Sequence, residues 1–182
     1  MLFRSNFAQF SFFGLGAMLA WFLIAQLGWS FWAALALVVV ICGLLGLLIN
    51  VAVVRPLAKF LPLAAMLSTY AVSQILDNVS QLAFTAEFRV FPKVLPTSNF
   101  QLGDMRFGTS DVVMLGFTAV VMVVMAAFLK YGKTGRAIRA TAQDQEAALQ
   151  MGIPVGLVQH LSFVIASALG GVAGVFIALY VG

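Results

Sequence analysis

From Phe31 to Val54 the chain carries no charged residue, and Asn50 alone breaks the apolar run with an amide side chain. A run of that length is too long for a core strand. Coiled as a helix rising about 1.5 Å per residue, it reaches across a hydrocarbon layer of about 30 Å. Runs of the same kind cover 7–27, 112–129 and 161–182, and a more polar one covers 62–84. A transmembrane β-barrel requires short alternating segments instead. The sequence therefore predicts an all-α, multi-pass transmembrane helical bundle of about five spans, forming a single transmembrane domain over 1–182.

Composition agrees. The chain is 63% hydrophobic and 9% charged, against about 45–50% and about 25% in soluble domains. The net charge of +4 does not point to nucleic acid, because the basic residues gather in two loops, as Lys and Arg do on the cytoplasmic side of membrane proteins. One loop holds Arg55 and Lys59; the other holds Lys130, Lys133, Arg136 and Arg139. Arg4 falls on the same side, which places the N-terminus in the cytoplasm and the end of the last span outside. The single cysteine, Cys42, permits no disulfide within the chain. No cleavable signal peptide is expected, since no small-residue cleavage site follows the first apolar run.

Small residues mark helix-packing faces within the spans: Gly14, Gly16 and Ala17 in the first, Gly43 and Gly46 in the second, and Gly170, Gly171, Ala173 and Gly174 in the last. Trp21, Trp29 and Trp32 sit where interfacial aromatics belong, around a tight turn at Gly28-Trp29-Ser30. Arg55-Pro56 is expected to stop the second span. The loop from Glu87 to Ser110 balances Glu87, Asp104 and Asp111 against Arg89, Lys93 and Arg106, which fits the outer face. Alternation around Gly103-Asp104 predicts a short hairpin there.

Two regions carry chemistry. In 62–84, Tyr70, Gln74, Asp77 and Gln81 recur at helical spacing and form one polar stripe, with Asn78 beside it. A carboxylate inside a span costs roughly 2.5–3.5 kcal/mol on insertion scales, so Asp77 faces protein or water. The stripe reads either as a substrate path or as polar glue between helices. The second region is the polar stretch 130–160, where two short helices are expected to meet near 142–144. Asp144 is a good N-cap for the second, and Gly152 followed by Pro154 is a strong stop. With Ala147 and Ala148, that helix is small-sided and suited to lie in a partner's groove.

These residues resemble a known family. Glu146-Ala-Ala-x-x-x-Gly152 is similar to the coupling-loop motif of ABC importer permeases. Gly135-Arg-Ala-Ile-Arg-Ala-Thr-Ala-Gln-Asp144, Met151-Gly-Ile153, Leu161-Ser-Phe-Val-Ile-Ala and Gly171-Val-Ala-Gly174 resemble the branched-chain amino-acid importer permeases, the first of their two permease types. Asn6-Phe-Ala-Gln9 with Gly16-Ala17, Arg55-Pro-Leu57, and Thr69-x-x-x-Ser73-x-x-x-Asp77-Asn78 extend the likeness over nearly the whole chain. Gln9 and Phe10 replace the usual His-Gly, Asp77 stands where the family usually has Gln, and the Ile-x-Leu-Pro tail of the general coupling motif is missing. Complete members have a further span before Asn6 and more after Gly182, so the resemblance implies a partial chain.

The resemblance implies a bacterial inner-membrane transport subunit, not an enzyme. Its partners would be two cytoplasmic ATP-binding subunits, a second permease subunit and an external or periplasmic substrate-binding protein. Asp144, Glu146, Ala147, Ala148 and Gly152 would form the coupling helix seated on an ATPase. The chain itself would bind no cofactor, and ATP and Mg would be used by the partner subunits; no G-x-x-x-x-G-K-[ST] phosphate loop occurs in it. The candidate pathway residues are Tyr70, Gln74, Asp77, Asn78 and Gln81. Lys133, Arg136 and Arg139 form the cytoplasmic basic group, read as topology and lipid headgroup contact more than as an ATPase ion pair. His160 reads as interfacial, since no second metal ligand lies near it. Two cargoes stay open: branched-chain or related amino acids, and urea or short amides, toward which a carboxylate at Asp77 would lean. A stand-alone channel or structural membrane protein is the remaining reading, and it leaves 130–160 unexplained.

Overall fold

A computed structural model describes residues 7–58, 62–84, 91, 99–102 and 105–181. Arg4, Asn6, Lys59, Glu87, Arg89, Lys93, Gly103 and Asp104, named above, lie outside the described residues. The chain divides into two compact units, one of Met1–Val94 with Phe163–Gly182 and one of Leu95–Ser162.

Helices make up nearly all of the described chain. They are α1 (Gln9–Gln26), α2 (Phe31–Ala58), α3 (Pro62–Phe84), α4 (Thr109–Tyr131), α5 (Lys133–Gln143), α6 (Gln145–Gln150) and α7 (Val155–Val181). Four stretches are long and apolar enough to cross a membrane: Gln9–Gln26, Phe31–Ala58, Val112–Tyr131 and Val155–Val181. The chain is thus a multi-pass helical membrane protein. The remaining expected span, α3, has 23 residues, about 34 Å of helix. Its length suffices, but the polar residues that make its stripe keep it below the apolarity of the others.

Two boundaries differ from expectation. Arg55-Pro56 does not end the second helix. The last turns open into a π-helix over Asn50–Val54, in which Arg55 N–H donates to Asn50 O, and helix continues through Arg55–Ala58. Proline lacks an N–H and its ring collides with the carbonyl four residues back; the wider π turn relieves that collision. The last helix begins at Val155, six residues before the expected 161, because Pro154 is pre-set for the first turn and Val158 N–H donates to Pro154 O at 3.1 Å.

In the first unit the core lies among α1, α2, α3 and the 163–181 part of α7. Phe12, Val38, Cys42 and Val175 are fully buried there, and the rings of Phe31 and Phe176 meet edge-on at 6.1 Å. Glycines set the spacing. A Cβ on Gly16 would overlap the backbone of Gly171, one on Gly174 the backbone of Phe13, and one on Gly46 the side chain of Ser167. Such close approach is how helices associate where lipid removes the hydrophobic drive between them. Gly14, expected on the same face as Gly16, meets nothing within 4 Å. The turn after α1 has Gly28 at φ 67°, with Trp29 N–H donating to Leu23 O at 3.1 Å.

In the second unit a two-stranded antiparallel pair joins Asn99–Leu102 to Met105–Gly108, with Leu102 opposite Met105, as the alternation in that stretch predicts. Gly135 lets α5 start hard against the end of α4. A Cβ there would overlap Phe128 O and Leu129 Cα.

Candidate functional site

The two polar regions fall in different units, α3 in the first and α4 to α6 in the second. On α3 the packed face is made of small residues. Ala65, Thr69, Ser73 and Ser80 are buried, at helical spacings of four and seven. Thr69 Oγ1 accepts from Phe7 N–H at 3.2 Å and donates to Met66 O at 2.8 Å. Ser73 Oγ lies 2.7 Å from Ser11 Oγ on α1. Nearby, Gln9 Nε2 donates to Ala166 O of α7 at 2.6 Å.

The polar stripe is set about 90° around the helix from that face, at roughly 100° per residue. Tyr70 is 55% exposed, Gln74, Asn78 and Gln81 are exposed, and Asp77 is half-buried at the edge. Asn78 Nδ2 turns back to Gln74 O at 2.6 Å. The structure thus keeps the stripe on one side but off the packed face. The hydroxyl-lined face that packs is a feature the stripe reading misses. Its signal was present as Thr69 and Ser73 four apart, small enough for close helix contact.

In the second unit, α5 and α6 are joined by the single extended residue Asp144 (φ −149°, ψ 114°). Its carboxylate accepts from Glu146 N–H at 2.9 Å and Ala147 N–H at 3.1 Å, two of the donors that a helix start leaves unpaired. The other end closes with Ile153 N–H on Ala148 O and Gly152 N–H on Leu149 O, both 3.0 Å, and Gly152 at φ 77°. These are the two bonds of a Schellman stop, and the left-handed residue is the one a Cβ disfavours. A six-residue helix is thereby fixed at both ends.

The side that α6 shows is not its alanine side. Ala148 is 2% exposed and Ala147 half-buried, whereas Leu149 is 55% and Met151 79% exposed, with Glu146 and Gln150 also exposed. The small faces lie inward, and the outward side presents apolar Leu149 and Met151 beside polar Glu146 and Gln150. Lys133, Arg136 and Arg139 are exposed on α5, and His160 lies half-buried inside α7 rather than in a loop. Among the described residues no group of three or more His, Cys, Asp and Glu is placed to hold a metal ion.

The family described as "Branched-chain amino acid transport system / permease component" matches residues 4–182. The high-affinity branched-chain amino acid transport system permease protein LivH of Escherichia coli K12 is 28% identical over 192 aligned positions, covering 97% of this chain and 61% of LivH. BraD of Pseudomonas aeruginosa, which carries the same description, is 28% identical over 155 positions, covering 82% of this chain and 50% of BraD. LivH of Salmonella typhimurium is 27% identical over 189 positions. The chain therefore spans about 61% of the length of the LivH relatives that it matches. No solved structure matches it. A match running from residue 4 to the end of the sequence, over the capped α6 and the apolar helices alike, places this chain in the branched-chain amino acid transport system permease family.

Proposed function

We propose that this chain is a membrane-spanning permease subunit of an ABC importer for branched-chain or related amino acids, seated in the bacterial inner membrane. The single observation that carries the reading is α6: a helix of only six residues, capped at both ends, with Leu149 and Met151 exposed, joined by Met151–Pro154 to a helix long enough to span the bilayer. An isolated helix that short does not hold together in water; here the Asp144 cap and the Gly152 stop hold both of its ends. On this reading α6 docks on a cytoplasmic ATP-binding subunit and moves α7 when nucleotide is hydrolysed. ATP and Mg belong to two such partner subunits. This chain performs no chemistry on its cargo.

The remaining partners of the proposal are a second permease subunit and an external substrate-binding protein. The exposed stripe of α3 supports a role in the pathway. In a bilayer, Gln74, Asp77 and Gln81 are costly against lipid and stable against water or protein. The cargo follows the named relatives, whose descriptions specify branched-chain amino acids, and they outweigh the lean toward urea or short amides that the Asp77 carboxylate alone supplies.

The test is co-purification. Leu149→Asp combined with Met151→Asp should abolish recovery of the ATP-hydrolysing subunit with the tagged permease, while membrane insertion persists. Recovery at the wild-type level contradicts the proposed role of α6.

A further inference from the structure

We propose that the basic face of α5 binds the anionic headgroups of phospholipids in the leaflet where α4 ends. The apolar stretch Val112–Tyr131 closes with Lys130 and with Tyr131, which is 69% exposed. Lys130 Nζ sits 5.3 Å over the Tyr131 ring. A cation and an aromatic at the end of a span mark the membrane interface. Gly132 turns the chain, and α5 starts at once, pressed by Gly135 onto the backbone of Phe128 and Leu129. The first turn of α5 is therefore held at the depth where α4 leaves the hydrocarbon.

On α5, Lys133, Arg136 and Arg139 are all exposed. At three-residue spacing they step about 60° each and span about 9 Å of axis. Thr134, Ala137 and Ile138 are half-buried and Gly135 is buried, so the helix is amphipathic, with its cations on one arc. No acidic residue occurs on α5, and the nearest, Asp144, is engaged in capping α6. Among the described residues no ion pair engages Lys133, Arg136 or Arg139. Arginine's planar fork suits phosphate. Three unpaired cations at interface depth fit a phosphate layer better than a protein groove, because the apolar residues that a protein partner would bury are on α6. The inference requires only that α4 crosses the membrane and does not rest on the proposed transport role.

The experiment places a bimane on a cysteine at Gln143, an exposed position next to the basic arc; Cys42 is buried. The full chain is reconstituted in phosphatidylcholine vesicles containing either brominated phosphatidylglycerol or the same mole fraction of brominated phosphatidylcholine. Quenching should favour phosphatidylglycerol. The preference should fall about fivefold for each of R136Q and R139Q, vanish in K133Q/R136Q/R139Q, survive in R136K/R139K, and fade at about 1 M salt, where screening acts within about 3 Å. Equal quenching by the two lipids in the wild-type chain overturns the proposal, as does a preference that survives the triple change. Should the triple variant not insert, the single variants decide. Loss of ATP-binding-subunit co-purification in R136Q and R139Q, with no lipid preference in the wild type, assigns the face to a protein partner instead and also overturns it.

Discussion

Ser11 Oγ lies 2.7 Å from Ser73 Oγ and 3.2 Å from the Ser73 carbonyl, although the two serines are 62 positions apart. Both are buried, so α1 and α3 share a hydroxyl contact inside the bundle. Interhelical hydrogen bonds of this kind average about 0.6 kcal/mol in a membrane protein. A double-mutant cycle of Ser11→Ala and Ser73→Ala, measured by unfolding in mixed micelles, should give a favourable coupling of about that size. Strict additivity would show that the two hydroxyls do not act on one another.

The glycine contacts of α7 predict position-specific intolerance. Gly16→Ala and Gly46→Ala each place a methyl where Gly171 backbone or Ser167 already stands, and overpacking of this kind costs about 1–3 kcal/mol. Gly14→Ala and Gly116→Ala meet nothing within 4 Å and should leave the unfolding midpoint unchanged or raise it. Thermal unfolding of the four variants in one detergent checks the contrast.

At Gly152 the added Cβ also meets nothing within 4 Å, yet φ is 77°. The penalty for Gly152→Ala is therefore one of backbone conformation, about 1 kcal/mol, and it falls on the stop of α6. Hydrogen exchange at the amides of Gly152 and Ile153 should accelerate about fivefold, the kinetic equivalent of that energy, while exchange in α7 stays the same.

How much of this was legible beforehand depends on whether a feature is local. The caps of α6 are local: Asp144 bonds residues two and three positions on, and Gly152 reaches back to Leu149. Residue type and spacing suffice to read them. The continuation of α2 through Pro56 was not legible, because a proline reads as a breaker until a π turn is seen to make room for it. The packed face of α3 was legible only in part: Thr69 and Ser73 stand four apart, but Phe7 and Ser11, about sixty residues away, select that side. The exposed side of α6 escaped for the same reason. Small residues predict close packing, but composition does not say on which side the packing occurs, and Ala148 turned out to be the inward one.

The stripe of α3 predicts a pattern of water contact. Single cysteines at Gln74 and Gln81, exposed in this chain, should react with a water-soluble thiol reagent in membranes if the stripe lines the pathway. A cysteine at Ile75, 61% exposed and about 100° around the helix from Gln74, should not, because thiolate forms only where water reaches. Equal reactivity at Ile75 and Gln74 would remove the pathway role.

The proposed coupling role requires α6 to lie on the cytoplasmic face, within reach of an ATP-hydrolysing partner. A cysteine at Gln150, exposed at the end of α6, tests it with a membrane-impermeant maleimide. Labelling should occur in inside-out vesicles and not in intact cells. Labelling of intact cells puts the helix on the outer face and rules out coupling through α6.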